Sequence, residues 1–377
     1  MHFLERELSG NIIPKVQPNK VVIVFGARRV GKTLLIRNIL TKLNEPYLEM
    51  NGEDINVHDR LARKSVENFK QLIGTNSLLF IDEAQNIPEI GLKLKLMVDN
   101  IEGLRIIASG SSSFDIYKDT GEPLTGRKHT FILYPISERE FHQVETGISK
   151  MDKLKERLIF GCYPELIHLP DRGDKMDYLN DMVSSYLLKD ILVFESIKNS
   201  QKIFNLLRLI VFQTGSEVSM QELGNQLSIS KNTIEKYLDL LGKVHILHKV
   251  EGFSRNLRKE ITKNSRWYFL DNGIRNAVIA NFNPLEARND IGQLWENYMI
   301  SERIKYLEYK RISSNNYFWR TYEQQEIDWV EERGGKLYGY EFKWNESKVK
   351  TPSQWKNNYP EAHFEVISSQ NFNNWIR

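Results

Sequence analysis

The chain has 377 residues, 41% of them hydrophobic, which is enough to bury the cores of two or three domains. Its 52 basic and 49 acidic residues leave a net charge of only +3, so the molecule as a whole is no polyanion binder and nucleic-acid contact must be argued from a local face. One cysteine, Cys162, forbids an internal disulfide, and no run reads as a signal peptide or a bilayer span, so the composition predicts a soluble, cytoplasmic protein with no membrane partner.

Residues 1–145 alternate strand and helix patterns: Val21–Phe25, a helix from Thr33 to Leu43, Tyr47–Met50, Leu78–Ile81, a helix around Ile90–Ile101, then Leu104–Ser109. Such alternation predicts a parallel α/β sheet with helices on both faces. Between the first strand and the first helix lies Gly26-Ala27-Arg28-Arg29-Val30-Gly31-Lys32-Thr33-Leu34, which contains the spacing G-x-x-x-x-G-K-T. A glycine-rich turn between a buried strand and a helix aims backbone N–H groups and the positive helix end at one spot, where an anion belongs. Lys32 is placed to reach the β/γ-phosphates and the Thr33 hydroxyl to help hold Mg²⁺, so ATP and Mg²⁺ are the expected cofactors.

The run Leu78–Ile81 ends in Asp82-Glu83, two acids at the carboxyl edge of a central strand. Asp82 is placed to hold Mg²⁺ through water, and Glu83 to orient or deprotonate the water that attacks the γ-phosphate. Leu104–Ser109 runs into Gly110-Ser111-Ser112-Ser113, where Ser111 or Ser112 is a candidate γ-phosphate sensor beside the plainer reading of a small polar loop. Arg127, just before another strand, is a candidate to contact the γ-phosphate in cis or in a neighbour's site. Cys162, in IFGCYPEL, has no sequence partner that marks a nucleophile and reads as a buried structural thiol.

The set FGARRVGKT, LLFIDEAQ, SGSSS, LTGRKHTFILYPISEREF and GCYPEL resembles the prokaryotic AAA+ ATPases of the archaeal/bacterial type that carry a C-terminal domain of uncharacterised function. The resemblance spans nearly the whole chain and implies a P-loop NTPase fold with a helical lid. It carries Lys32, Thr33, Asp82 and Glu83 over as nucleotide and Mg²⁺ residues, Ser111 as a sensor and Arg127 as an arginine finger. No second sensor arginine stands out in the helical segment. Asp-Glu-Ala-Gln also suggests a helicase box, but the remaining sequence supplies no second motor domain.

Residues 146–200 read as the helical lid, with MVSSYLLKDILVFESI at helical spacing. Within 201–270, Val218–Leu227, Ser228–Ser230 and Lys231–Leu241 read helix, turn, helix, with Leu223 and Leu227 facing Ile234, Tyr237, Leu238 and Leu241 and Ser230 as the cap. The arrangement resembles a winged helix-turn-helix whose hairpin, His245–Phe269, bears Arg255, Arg258, Lys259, Lys263 and Arg266 placed to touch phosphates. On duplex DNA, Lys231, Asn232, Thr233 and Lys236 would enter the major groove; a packing module is the other reading.

Residues 271–377 give a helix at Gly292–Tyr309, strands near Tyr317–Arg320, Glu326–Val330 and Leu337–Lys343, a turn or helix near Pro352–Tyr359, and strand His363–Ile367. This α-β-β-β-α-β order, with Asp328 and Glu341-Phe342-Lys343, resembles the PD-(D/E)XK core of restriction-endonuclease-like α/β domains. Strand alternation puts Glu341 and Lys343 on one face, so Asp328 and Glu341, with Glu296 from the helix, form a candidate metal site and Lys343 a candidate water activator. The sequence thus predicts an Mg²⁺-dependent ATPase that drives conformational change in its appended modules. Two alternatives stand beside it: an ATP-gated DNA nuclease, and a non-cutting switch that binds a protein partner or a second copy.

Overall fold

The apolar run of β1 (Lys20–Phe25) takes the centre of a five-stranded sheet with β2 (Leu48–Asn51), β3 (Leu78–Asp82), β4 (Arg105–Gly110) and β5 (Lys128–Ile132). Every pairing is parallel and the order is β2-β3-β4-β1-β5. A parallel sheet is covered on both faces, which explains why Val21–Val24 and Leu78–Ile81 are continuous apolar runs with no measurable exposure. Val21, Ile23 and Phe25 pack on one face with Leu79, Ile81, Ile106 and Ala108, against Leu61, Phe69 and Leu94 from the flanking helices. Each such side chain contributes about 1.5–3 kcal/mol on burial. All strand ends that carry candidate residues, after Phe25, Asp82 and Gly110, therefore lie at one edge of the sheet.

This computed structural model describes residues 4–111, 124–145, 150–187, 200–254, 265–346 and 348–376. The chain divides into two compact units, Met1–Ile136 and Ser137–Arg377. The break between the two units falls at 136/137. Helices Ile55–Ala62 and Val66–Ile73, capped by Asp54 and Ser65, occupy a polar stretch in which the sequence pattern marks no element.

In the second unit β6 (Glu217–Val218), β7 (Leu247–Gly252), β8 (Ser265–Phe269), β9 (Asn315–Arg320), β10 (Glu326–Arg333), β11 (Lys336–Phe342) and β12 (His363–Ile367) form one sheet, in the order β12-β11-β10-β9-β7-β8-β6. The antiparallel pair β7/β8 joins the rest through β9, where Glu251 and Gly252 lie beside Tyr317 and Phe318 in a parallel register. Segments 201–270 and 271–377, expected as two domains, therefore share a sheet. The helices Met220–Leu227 and Lys231–Lys243 are joined by a short turn; Ser219 and Ser230 cap them by accepting from the N–H groups of Glu222 and Thr233. Leu223, Ile234, Leu238 and Leu241 are fully buried between them.

The expected α-β-β-β-α-β order is present, from helix Ile291–Tyr309 through β9, β10, β11 and helix Ser353–Asn358 to β12. Helices Lys150–Phe160 and Arg172–Asp181, expected in a lid, belong to this second unit, and part of the predicted run at 182–197 lies outside the described residues. Cys162 is buried, and burial pushes its thiol well above its usual range, which agrees with a structural thiol. Its backbone N–H donates to Asp271 Oδ2 at 2.7 Å, and Asp271 also caps the buried helix Asn272–Val278. Gly161, Cys162 and Tyr163 of the GCYPEL run are thus buried, while Glu165 is exposed.

Candidate functional site

The loop after β1 is shaped by contacts that only certain residues permit. Gly26 has φ +154°, and a Cβ there would lie 2.2 Å from the Leu133 carbonyl oxygen. Gly31, in a left-handed conformation, caps helix Lys32–Leu43, so the N–H groups of its first turn face the loop. Lys32 is only 5% exposed and donates from Nζ to the carbonyls of Gly26 at 2.9 Å and Ala27 at 3.1 Å. Val30 is buried, Arg28 half-buried, and Arg29 and Leu34 are exposed.

Arg6, which no sequence motif singles out, fastens this loop from the N-terminal segment. Its guanidinium donates to the Val30 carbonyl at 2.8 Å and to the Tyr134 carbonyl at 2.6 Å. Arg6→Ala would leave both acceptors short of a charged donor, and an unsatisfied buried group costs about 1–3 kcal/mol. An unfolding free energy lowered by about 1–3 kcal/mol, read as a lower urea midpoint, is the expected result; an unchanged midpoint would show the fastening to be idle.

At the end of β3 the acid pair is held by three neighbours. Thr33 Oγ1 donates to Asp82 Oδ2 at 2.8 Å, and Ser109 Oγ donates to Asp82 Oδ1. The same Ser109 hydroxyl accepts from the Glu83 N–H at 3.1 Å. Glu83 itself sits at φ 47°, ψ 43°, a left-handed backbone that costs a non-glycine residue about 1–2 kcal/mol. Its carboxylate accepts from Gln85 Nε2 at 2.6 Å. Hydroxyl and carboxylate oxygens side by side are the donors that Mg²⁺ prefers, so Thr33 and Asp82 fit that ion. Ser111 is buried and its hydroxyl accepts from Gln85 at 3.4 Å, while Ser112 lies outside the described residues.

Lys32, Thr33, Asp82, Glu83 and Ser111 thus lie along one sheet edge. Arg127 does not. It precedes β5, which runs parallel to β1, so it sits at the opposite edge, with its backbone carbonyl bonded to the N–H of Val21 and its guanidinium paired with Asp99. A strand rises roughly 3.3 Å per residue, so β5 separates Arg127 from the loop by about 16 Å. Strand direction thus sets Arg127 away from the loop of its own chain, in a surface pair with Asp99. Ser109 and Gln85 are the site residues that sequence reasoning misses; both lie inside quoted motifs, next to residues that it singles out.

The carboxylates of the second unit do gather, but around an arginine. Arg266, expected on a basic hairpin facing phosphates, is 2% exposed and lies 3.8 Å from Glu296, 3.7 Å from Asp328 and 2.9 Å from Glu326. Tyr268 donates to Glu296 at 2.7 Å, the Phe342 N–H donates to Asp328 at 2.9 Å, and Lys343 pairs with Glu341 at 2.8 Å. Burial raises Glu296 to about 7, and burial with the neighbouring carboxylates raises Asp328 and Glu341. Among the described residues no three His, Cys, Asp or Glu side chains are arranged to hold a metal ion. The Arg266 guanidinium supplies the positive charge beside Glu296 and Asp328.

On the second helix of the helix-turn-helix, Lys231, Asn232 and Lys236 are exposed, while Thr233 is half-buried with its hydroxyl 2.8 Å from that of Ser230. Arg255, Arg258, Lys259 and Lys263 lie outside the described residues. No helix among the described residues is long and apolar enough to cross a membrane.

With this geometry, comparison with known proteins is informative for the first unit. Residues 18–142 match the family model described as "AAA domain". Over that segment the chain is similar to AAA domains. Residues 151–285 and 291–369 match two models described as "Domain of unknown function", DUF8612 and DUF4143. An uncharacterized protein of Methanocaldococcus jannaschii is 24% identical over 349 residues, which is 86% of this chain and 74% of that one. An uncharacterized protein of Mycobacterium tuberculosis is 25% identical over 336 residues, 88% of this chain and 71% of the other. Among solved structures, the RuvB Holliday junction branch migration motor of Thermotoga maritima matches at 15% identity over 66% of this chain and 90% of its own, with a TM-score of 0.30, too low to bear on function.

Proposed function

We propose that the AAA-type domain binds and hydrolyses ATP with Mg²⁺ and that turnover drives conformational change in the unit Ser137–Arg377. The observation that carries this reading is the acid pair, with Asp82 held by Thr33 and Ser109 and Glu83 held by Ser109 and Gln85 at the edge where the glycine-rich loop opens. Bound Mg²⁺ would neutralise charge on the β- and γ-phosphate oxygens. Lys32 exchanges its two loop carbonyls for phosphate oxygens. Glu83 accepts the proton of a water whose oxygen bonds to the γ-phosphorus as the bond to the β-phosphate oxygen breaks, leaving ADP and phosphate. Equilibrium titration with a fluorescent ATP analogue tests the binding half: saturable, Mg²⁺-strengthened binding is the expected result, and no binding at millimolar analogue would refute it.

For the second unit, the exposed start of helix Lys231–Lys243 supports duplex DNA as the partner of the winged-helix-like module. Neutralising Lys231 and Lys236, or Arg258, Lys259 and Lys263, should lower affinity and flatten its salt dependence by about one log unit per log unit of salt for each phosphate no longer neutralised. An unchanged slope in fluorescence anisotropy would make the module one for protein contact. Arg266 amid Glu296 and Asp328 favours a non-cutting tail over a nuclease. Plasmid incubated with Mg²⁺ or Mn²⁺, with and without ATP, should therefore stay intact; cutting that Asp328→Ala abolishes would restore the nuclease reading.

A further inference from the structure

Gln85 lies where two of the motifs, LLFIDEAQ and SGSSS, meet. Its Nε2 donates to Glu83 Oε2 at 2.6 Å and to Ser111 Oγ at 3.4 Å, and its Oε1 is buried without a hydrogen-bond partner. A carboxylate only accepts, so the amino end of the amide must face Glu83. That turns Oε1 toward Gly110, where a Cβ would come within 2.8 Å of it. Any side chain at 110 would push the amide away from Glu83.

The end of β4 now has a residue-by-residue reading. Ser109 bonds to Asp82 and to the Glu83 N–H, Gly110 leaves room for the Gln85 amide, and Ser111 receives the second bond of that amide. The left-handed backbone at Glu83 leads directly into the short 3-10 turn Ala84–Asn86, which carries Gln85 back toward the carboxylate. The proposed water-activating group thus hangs on one side-chain amide, and that amide also touches a residue at the phosphate edge.

We propose that Gln85 is a positioning residue for hydrolysis, which holds the Glu83 carboxylate and makes that hold depend on Ser111. This rests on the hydrolase reading above. A change at Ser111 when the γ-phosphate arrives or leaves is passed through one amide to Glu83, so the carboxylate is set for water only when the edge is filled. Gln85 touches no reacting atom in this scheme.

The test compares the parent with Gln85→Glu, Gln85→Ala, Ser111→Ala and the double variant, measuring kcat, KM and binding of a nonhydrolysable ATP analogue. Gln85→Glu keeps the shape but sets an anion against Glu83; kcat at about pH 8 should fall roughly tenfold to a hundredfold, with analogue affinity changed by less than about twofold. Toward about pH 5.5 the introduced carboxyl, raised by the Glu83 carboxylate beside it, takes up a proton in part, becomes a donor, and should recover part of the loss relative to the parent at the same pH. Gln85→Ala should lose rate without that recovery, and adding Ser111→Ala to it should cost little more. Parent turnover with every Gln85 variant at the parent rate would overturn the inference alone, as would losses of kcat matched by equal losses of analogue affinity. A parent that binds ATP and never turns it over would overturn the hydrolase reading and this inference with it.

Discussion

Glu83→Gln should leave ATP bound and lower kcat by about 10²–10⁴-fold, the usual contribution of a positioned general base. The amide is nearly isosteric with the carboxylate, so the left-handed turn at Glu83 and the bond from its N–H to Ser109 persist. What disappears is an oxygen able to take a proton from water. Rapid-quench hydrolysis beside analogue binding separates the two effects. A variant that turns over at the parent rate removes Glu83 from the chemistry and moves attention to another base at the same edge.

Lys32→Ala should instead act on binding. The Lys32 ammonium is almost wholly buried and already satisfied by two loop carbonyls, so the loop is built around a cation before nucleotide arrives. Removing one partner of a buried charge pair costs on the order of 2–5 kcal/mol, roughly thirtyfold to several thousandfold in Kd. The same change frees the carbonyls of Gly26 and Ala27, so thermal stability should fall as well. Normal titration of ATP into the lysine variant would contradict the assigned role.

Much of the first unit is legible in the sequence because buried parallel strands must be apolar throughout, which makes Val21–Phe25 and Leu78–Ile81 stand out from their polar surroundings. The edge at which a residue lies is a matter of strand direction, readable in principle from whether it precedes or follows its strand; Arg127 precedes β5 and so lies at the edge away from the loop of its own chain. Helices Ile55–Ala62 and Val66–Ile73 escape because each is short and buries only two side chains. In the second unit the union of the helix-turn-helix with the tail rests on the two-residue register between β7 and β9, too small a feature to leave a pattern. Arg266 is hidden for a related reason: its buried partners, Glu296 and Asp328, are distant in sequence, so a basic residue beside a hairpin looks solvent-facing. Ser109 and Gln85 are visible as letters, but their roles depend on how β3 and β4 pair.

The most direct measurement is multiple-turnover phosphate release from ATP by the parent protein, with Glu83→Gln as the background, with and without DNA. The account predicts release above that background in Mg²⁺ and its loss when the metal is chelated. Release by the parent no faster than by Glu83→Gln, under conditions where both bind ATP, would contradict it.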